Sequence, residues 1–254
     1  MNLGAFDIIG TIAILPLFTR NPKKIAGKIL KENKHIKTVC MKAGKISGRL
    51  RKNNLKFILG EKTWETIHRE SGCMFKLDIE KCYFSPRLSN DRIDVCRQIK
   101  PGEEVLVMFG GVGPCPIVFA KNSKLREVYS VELNKAATSY CRENVKLNKL
   151  NNVIVIQGDV KKVLPKMKLK FDRIMMARPQ LKDDFLDCAL KVSKKGTVIH
   201  FHDFLKESEM PDASFEKIKN ACKKAKKKFK LIRWKKALEV GLRKWRIRID
   251  FKIL

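Results

Sequence analysis

The residues best suited to chemistry fall at the ends of three successive apolar runs. Val105-Leu106-Val107-Met108-Phe109 leads into Gly110-Gly111-Val112-Gly113-Pro114, a strand that ends in a glycine turn and opens a helix. Glycines at such a turn let a ligand approach the backbone, and the first turn of the helix offers unpaired N–H donors. Phe109, Gly111 and Gly113 are therefore candidate binding positions. About 20 residues on, Glu132 ends the next run, Val128–Glu132, where a carboxylate in a βαβ unit accepts both hydroxyls of a ribose. Asp159 follows the third run in Gln157-Gly158-Asp159-Val160, in reach of an adenine amino group. Each signal alone has an ordinary explanation, since glycine turns are common and a single glutamate is usually a surface acid. Together they describe a site for an adenosine-bearing cofactor. Cys115 and Pro116 occupy the later part of the turn, which departs from the GxGxxG spacing of NAD-binding units. S-adenosylmethionine fits better.

The elements that must position these residues alternate from residue 104 onward. Strands are expected at Val105–Phe109, Val128–Glu132, Val153–Ile156, Arg173–Met176 and Thr197–His202. Helices are expected through Ile117–Ala120, over Asn134–Asn148 and Phe185–Val192, and as a lysine-coated helix over Phe215–Phe229. Leu231–Trp234 and Trp245–Phe251 close the pattern as two strands. The second alternates strictly, with Ile247, Ile249 and Phe251 on one side. Such βα alternation predicts an α/β fold with a mostly parallel, Rossmann-like seven-stranded sheet and one antiparallel edge. Residues 1–80 read differently, with strand-like runs at Ile8–Leu15, Leu55–Leu59 and Phe75–Leu77 and a basic helix around Pro22–Asn33. They predict a small N-terminal α+β module. Residues 81–103 connect it to a cofactor-binding domain over 104–254. Within the connection, Ser89 is an expected helix N-cap and Ile93, Cys96 and Ile99 share a helical face.

Composition narrows the partner. Lysine and arginine number 56 against 26 acids, a formal net charge of +30. That imbalance costs self-repulsion, which nucleic acid, an anionic membrane or an acidic partner would relieve. The basic residues run through Lys23–Lys45, Arg49–Lys56, Lys161–Lys170 and Lys217–Lys230, inside segments that read as folded. This favours a basic face for RNA or DNA over a disordered arm or a membrane contact. A lysine-rich proteome adapted to heat or salt would explain part of the excess. No apolar run reaches the ~18 residues of a membrane span, and Phe6–Leu17 has no basic segment before it, which argues against a signal peptide. The eight cysteines form no CxxC pair, so no zinc spacing arises, and a reduced cytoplasmic protein without a metal is expected.

Several stretches carry a more specific likeness. Tyr83-Phe84-Ser85-Pro86-Arg87-Leu88-Ser89-Asn90-Asp91-Arg92, Met108-Phe109-Gly110-Gly111-Val112-Gly113-Pro114, Glu132-Leu133-Asn134 and Glu143-Asn144-Val145-Lys146-Leu147-Asn148-Lys149 resemble the archaeal and eukaryotic tRNA (guanine-37-N1)-methyltransferase family, which includes wyosine-pathway relatives. The likeness runs from Ile46-Ser47-Gly48 to Asp250-Phe251-Lys252. It implies a class I methyltransferase fold, S-adenosylmethionine as cofactor and tRNA as partner, acting as a monomer. It places Asp91 where the family has a glutamate proposed to take the guanine N1 proton. Arg51 falls on an arginine thought to meet charge on the guanine oxygen, and Tyr83 and Arg87 lie on the catalytic edge. Arg92, Glu132, Leu133, Asp159 and Val160 fall on cofactor contacts, and Met176-Ala177-Arg178-Pro179 occupies the family's Asn-Leu-Pro loop, which adds Ala177 and Pro179. The chemistry is coherent. Guanine N1 holds its proton at neutral pH, so methylation needs a base and an oxygen-directed cation.

Three departures stand out. Val107 replaces the family's acidic residue before the glycine turn, Asp91 reaches about 1.5 Å less than glutamate, and Ala177 and Arg178 replace the loop's Asn and Leu. Aminocarboxypropyl-transferring relatives usually lack the arginine that stands here as Arg87, which favours methyl transfer. The rival readings are methyl or aminocarboxypropyl transfer to a tricyclic wyosine precursor at the same position, and an RNA-binding relative without turnover.

Overall fold

The computed structural model describes residues 6–44, 48, 50, 53–178 and 181–254. The apolar run at Ile8–Leu15, expected as one strand, is folded back on itself. β1 (Asp7–Ile9) and β2 (Ile12–Leu15) pair antiparallel across a tight turn. Gly10 makes the turn possible, with φ +56° and an approach so close that a Cβ would stand 2.2 Å from Thr66 Oγ1. α1 (Pro22–Glu32) begins on a proline, whose missing N–H is harmless in the first helical turn. β3 (Thr38–Lys42) then runs parallel to β2, and β4 (Leu55–Gly60) returns antiparallel to β3, completing a four-stranded sheet. Ala26 and Ile29 of α1 pack with Ala13, Leu15 and Val39 to form its core.

A separate hairpin follows, β5 (Glu65–Glu70) against β6 (Cys73–Asp78). β5 offered little to a sequence reading, because its central apolar residue, Ile67, faces outward. α2 (Ser89–Cys96) comes next. Ser89 is its first residue rather than its cap: Leu88 holds the cap position after a 3-10 turn over Pro86–Leu88, and no side chain caps the helix.

The remaining strands are β7 (Glu104–Met108), β8 (Glu127–Glu132), β9 (Val153–Gln157), β10 (Phe171–Met176), β11 (Ser193–Lys206), β12 (Phe229–Gly241) and β13 (Lys244–Ile253). They form one seven-stranded sheet ordered β12-β13-β11-β10-β7-β8-β9, the expected class I arrangement. The strand running against its neighbours is β13, and it is inserted between β11 and β12 rather than placed at the edge. The outer edge on that side is β12, whose pairing with β13 slips at three irregularities. The closing strands are far longer than Leu231–Trp234 and Trp245–Phe251 suggest, because the two pair along their whole length.

Helices cover both faces. α2, α3 (Pro114–Asn122) and α4 (Lys135–Leu147) share one core with the β5–β6 hairpin. α5 (Val160–Val163), α6 (Leu186–Lys191) and α7 (Asp212–Lys224) share the other. α7 stops short of the expected Phe229, which instead opens β12. The chain reverses through Lys226 at φ +53°, a break that a run of lysines does not announce. Among the described residues, no helix is long and apolar enough to cross a membrane.

Candidate active site

The C-terminal ends of β7, β8 and β9 open into a cavity with about 760 Å³ of empty space, lined by Gly111, Glu132, Leu133, Asp159, Val160 and Ala177 among others. Glu132 is at its centre. One carboxylate oxygen accepts the N–H of Gly111 at 2.9 Å and the other the N–H of Asn134 at 2.7 Å, so the acid also ties down the glycine turn. Burial raises its pKa, opposed by those backbone donors. Asp159 caps α5, accepting the N–H of Lys161 at 3.0 Å. Phe109, held at φ +65°, stacks edge-on against Phe185 at 4.9 Å, and the two rings form an apolar wall. Such a set suits an adenosine-bearing group: a carboxylate for the ribose diol, an acid for an amine, and apolar surfaces for the base.

Asn134, which the sequence reading did not single out, joins this cavity to the segment before it. Its Oδ1 caps α4, while its Nδ2 donates to the carbonyls of Leu50 at 3.2 Å and Lys81 at 2.9 Å. Arg178 organises the loop after β10. Its guanidinium meets Asp203 at 2.8 Å and the carbonyls of Leu181 and Asp183 at 2.7 Å each. The arginine that replaces the family's leucine is thus a buried loop clamp.

A second cavity adjoins the first and is lined by Asp91, Arg92, Cys115 and His202, with Phe109, Gly111 and Ala177 shared between the two. Behind it lies a continuous buried polar chain. Arg246 donates to His202 Nδ1 at 2.9 Å, and His202 Nε2 lies 2.8 Å from Asp91 Oδ2. Because arginine only donates, His202 must carry its proton on Nε2 and donate to Asp91. Arg248 donates to Asp91 Oδ1 at 2.5 Å and to Asp250 Oδ1 at 2.9 Å. His200 donates to that same Asp250 oxygen at 2.6 Å and accepts from Arg173 at 2.8 Å. Burial, then the charge of Arg246, pushes the His202 imidazole down to about 4, against the pull of Asp91. Burial works to raise the Asp91 carboxyl, but His202, Arg248 and Arg246 outweigh it and hold it well below the usual carboxylate range. At neutral pH the pair is a neutral imidazole beside an ionised carboxylate.

A third, larger space is a groove between the N-terminal sheet and the end of the β12–β13 hairpin, lined by Asp7, Lys42, Asn53, Arg87 and Glu239 among others. Tyr83 and Arg246 line all three spaces.

The expected residues are therefore distributed as follows in space. Phe109, Gly111, Glu132, Leu133, Asp159, Val160 and Ala177 surround the first cavity and Asp91 the second, with Tyr83 at the junction. Arg92 lines the second cavity, and its guanidinium is paired with Glu70 and the Ser85 carbonyl. Arg87 sits in the outer groove, paired with Asp7 at 2.6 Å. Gly113 is needed for packing: at φ +95° a Cβ would lie 2.8 Å from Cys141 Sγ and from Ile117 Cδ1. Val107, where an acid was expected, is fully buried in the core. Arg51 and Pro179 lie outside the described residues. Arg246 and His202 were missed, because a strand alternating charged and apolar residues reads as one with a solvent-facing side.

Glu132→Ala removes both the expected ribose acceptor and the tether of the glycine turn. Cofactor affinity is expected to fall by about 1.5–3 kcal/mol, the scale of hydrogen bonds to a charged group. Isothermal titration would read this directly, and unchanged affinity would remove Glu132 from the site.

Comparison with known proteins shows the family of the chain. The family model described as the TRM5/TYW2 methyltransferase domain matches residues 66–232, and one described as the TYW2 N-terminal domain matches residues 3–63. The tRNA (guanine(37)-N(1))-methyltransferase Trm5b of Pyrococcus abyssi is 38% identical over 98% of this chain and 74% of its own. Its crystal structure matches with a TM-score of 0.88 over the same shares of the two chains, at 37% identity. The tRNA (guanine(37)-N(1))/4-demethylwyosine(37)-methyltransferase Taw22 of Nanoarchaeum equitans is 32% identical over 98% of this chain and 100% of its own. A crystal structure of M. jannaschii TYW2 in complex with AdoMet matches with a TM-score of 0.74, at 30% identity over 98% of this chain and 100% of that one. With a family model covering most of its length and a seven-stranded sheet that carries the expected cavity, the chain belongs to the TRM5/TYW2 methyltransferase family.

Proposed function

We propose that this chain transfers a methyl group from S-adenosylmethionine to N1 of guanosine 37 in tRNA. The observation that carries the reading is that the Glu132–Asp159 cavity, the Asp91 cavity and the outer groove adjoin one another, with Tyr83 and Arg246 lining all three. A donor site thus lies beside an acceptor site, in a family whose relatives bear this reaction in their names. Bound in the first cavity, S-adenosylmethionine supplies an electrophilic methyl carbon on a positively charged sulfur. Glu132 and Asp159 hold the ribose and adenine, and Phe109 and Phe185 exclude water. Asp91 takes the N1 proton as the N1–carbon bond forms and the sulfur–carbon bond breaks, its electron pair passing to sulfur. Arg51 enters on the family resemblance alone. Residues 1–80 serve as the RNA-positioning module, residues 81–103 carry Tyr83, Arg87 and Asp91, and the protein acts as a cytoplasmic monomer.

A second acceptor, 4-demethylwyosine at the same position, is supported by the Nanoarchaeum relative, which this chain matches end to end and whose name carries both acceptors. The deciding experiment uses cofactor labelled separately on the methyl and on the amino-acid carbons. It compares tRNA bearing guanosine 37, the tricyclic precursor, or adenosine 37. Methyl label appearing in the guanosine substrate alone supports the first reading. Label from the amino-acid carbons, or none from either, overturns it.

The formal charge of +30 bears on the partner. Affinity for tRNA is expected to fall steeply with salt, with a log–log slope of roughly −0.7 to −0.9 per phosphate contacted. Filter binding between low and physiological salt measures it. A flat response would assign the charge to a lysine-rich proteome instead.

A further inference from the structure

We propose that His202 is a positioning residue for this reaction: its Nε2–H holds Asp91 Oδ2 at the acceptor cavity and makes that oxygen the one that receives the N1 proton. The inference rests on the reading above and adds to it a residue on β11. Direct bonding carries it. His202 Nε2 lies 2.8 Å from Asp91 Oδ2, and Arg246, donating to Nδ1 at 2.9 Å, fixes the ring proton on Nε2. The register of the sheet puts the imidazole there. His202 stands directly opposite Arg248 across the β11–β13 pairing, next to the His200–Asp250 pair, so these side chains form one polar stripe beneath α2. From that stripe Arg248 reaches the Asp91 carbonyl at 3.2 Å and Oδ1 at 2.5 Å, while His202 reaches Oδ2. The first turn of α2 is thereby pinned to the sheet at three atoms of one residue.

The two donors to Asp91 differ in charge and in place. Arg248 is a fully buried cation, whereas His202 lines the acceptor cavity beside Asp91 and takes no part in lining the first. Burial and the charge of Arg246 push the imidazole down to about 4, so it is neutral at working pH. The oxygen beside a guanidinium gives up most of its proton affinity, and the one served by a neutral N–H keeps more. An ionised carboxylate offers about four lone-pair sites, so Oδ2 accepts from His202 and still has room for a proton. The N1 proton moves to Oδ2, the N1 electron pair forms the bond to the methyl carbon, and the sulfur–carbon pair passes to sulfur. The proton stops there, because Arg246 already fills Nδ1 and leaves the imidazole no site to relay it. The charged groups facing the imidazole are Arg246, Asp91 and Arg248. A short aspartate cannot search for its substrate as a glutamate can, and a reacting group misplaced by about 1 Å loses about 10²-fold in rate. Fixing its one available oxygen is the task that falls to His202.

The test measures single-turnover methyl transfer to a tRNA transcript bearing guanosine 37, across pH, for the wild type, H202F, H202Q and D91N. H202F keeps a ring of similar size and removes the donor. Its rate should fall about 10²-fold, the scale of a misplaced reacting group, with cofactor affinity unchanged by titration. Losing a donor to the ionised form also raises the Asp91 pKa, so the acid-side fall in rate should move to higher pH, which lost stability alone would not do. H202Q can still donate to Oδ2 from its amide, and should recover most of the rate and the wild-type profile. In nitrogen NMR of the wild type, His202 should be neutral and protonated on Nε2. A wild-type rate and profile in H202F overturns the proposal, as does an Nδ1-protonated imidazole or an H202Q as slow as H202F. Should H202F not fold, H202A with added imidazole replaces it: a recovered rate supports the proposal and an unrecovered one overturns it. A wild-type rate in D91N overturns the reading of Asp91 as the base, and a wild-type chain that leaves guanosine 37 unmethylated overturns the reaction itself. An inactive D91N beside a fully active H202F overturns this assignment alone.

Discussion

Asp91→Asn is expected to lower the single-turnover rate by roughly 10²–10⁴-fold, the range for losing a general base, while cofactor affinity holds. The defect should shrink as pH rises, because deprotonated guanine needs no base. The structure adds a second, separable effect. Arg246 fixes the His202 proton on Nε2, so His202 and Arg248 both point donors at residue 91. An amide accepts from one of them and sets its own NH2 against the other. Leaving a buried donor unsatisfied costs about 1–3 kcal/mol, which thermal or urea denaturation would show. Lost stability with an intact rate would make Asp91 a clamp for the buried chain and nothing more. A rate that falls with the same deficit at every pH would take the proton transfer away from it.

Arg248→Ala is expected to be the most destabilising single change in the sheet. Arg248 is fully buried, and its guanidinium serves Asp91, Asp94 and Asp250 together. Removing one partner from a buried ion pair typically costs 3–5 kcal/mol, because the remaining charge has nowhere to go. Arg233 would still reach Asp94 and Asp250, but no other guanidinium is hydrogen-bonded to Asp91 among the described residues. A melting temperature lower by roughly 10 °C would follow for a chain of this size, with the tRNA salt dependence untouched. A loss below 1 kcal/mol would mean that Asp91 finds water or another cation.

How much of this was legible in the sequence varied with the physics behind each element. The strand–turn–helix at Val105–Pro114 and the acids Glu132 and Asp159 were readable because their signals are local: a run of apolar residues, a turn that demands glycine, and a carboxylate at a strand end. The hairpin at Gly10 was read as one strand, since only the approach of Thr66, far along the chain, shows why that glycine is there. β13 is the instructive case. Its alternation of Arg246, Arg248 and Asp250 with isoleucines ordinarily marks a strand with one wet face. Here both faces are covered, because β13 lies inside the sheet and α2 brings Asp91 and Asp94 down onto its polar side. No local pattern encodes a partner more than 150 positions away in the chain. The cavity-lining residues that sequence reasoning missed, Arg246 and His202, belong to that same long-range match.

The outer strand β12 has a further consequence for the folded chain. It is 13 residues long and, among the described residues, no strand pairs with its outer side, where Ile232 and Trp234 are half-exposed. Long apolar edges of this kind invite strand-to-strand pairing between molecules, the first step toward aggregation. Lys230, Arg233, Lys235 and Lys236 interrupt the row with like charges, and the irregular register against β13 bends the edge away from a flat template. Arg233 and Lys235 are paired with Asp94 and Lys236 with Glu207, so it is mainly this bend that the edge of a second molecule would have to match. The irregular register is therefore expected to hinder self-association, whether or not any RNA is bound.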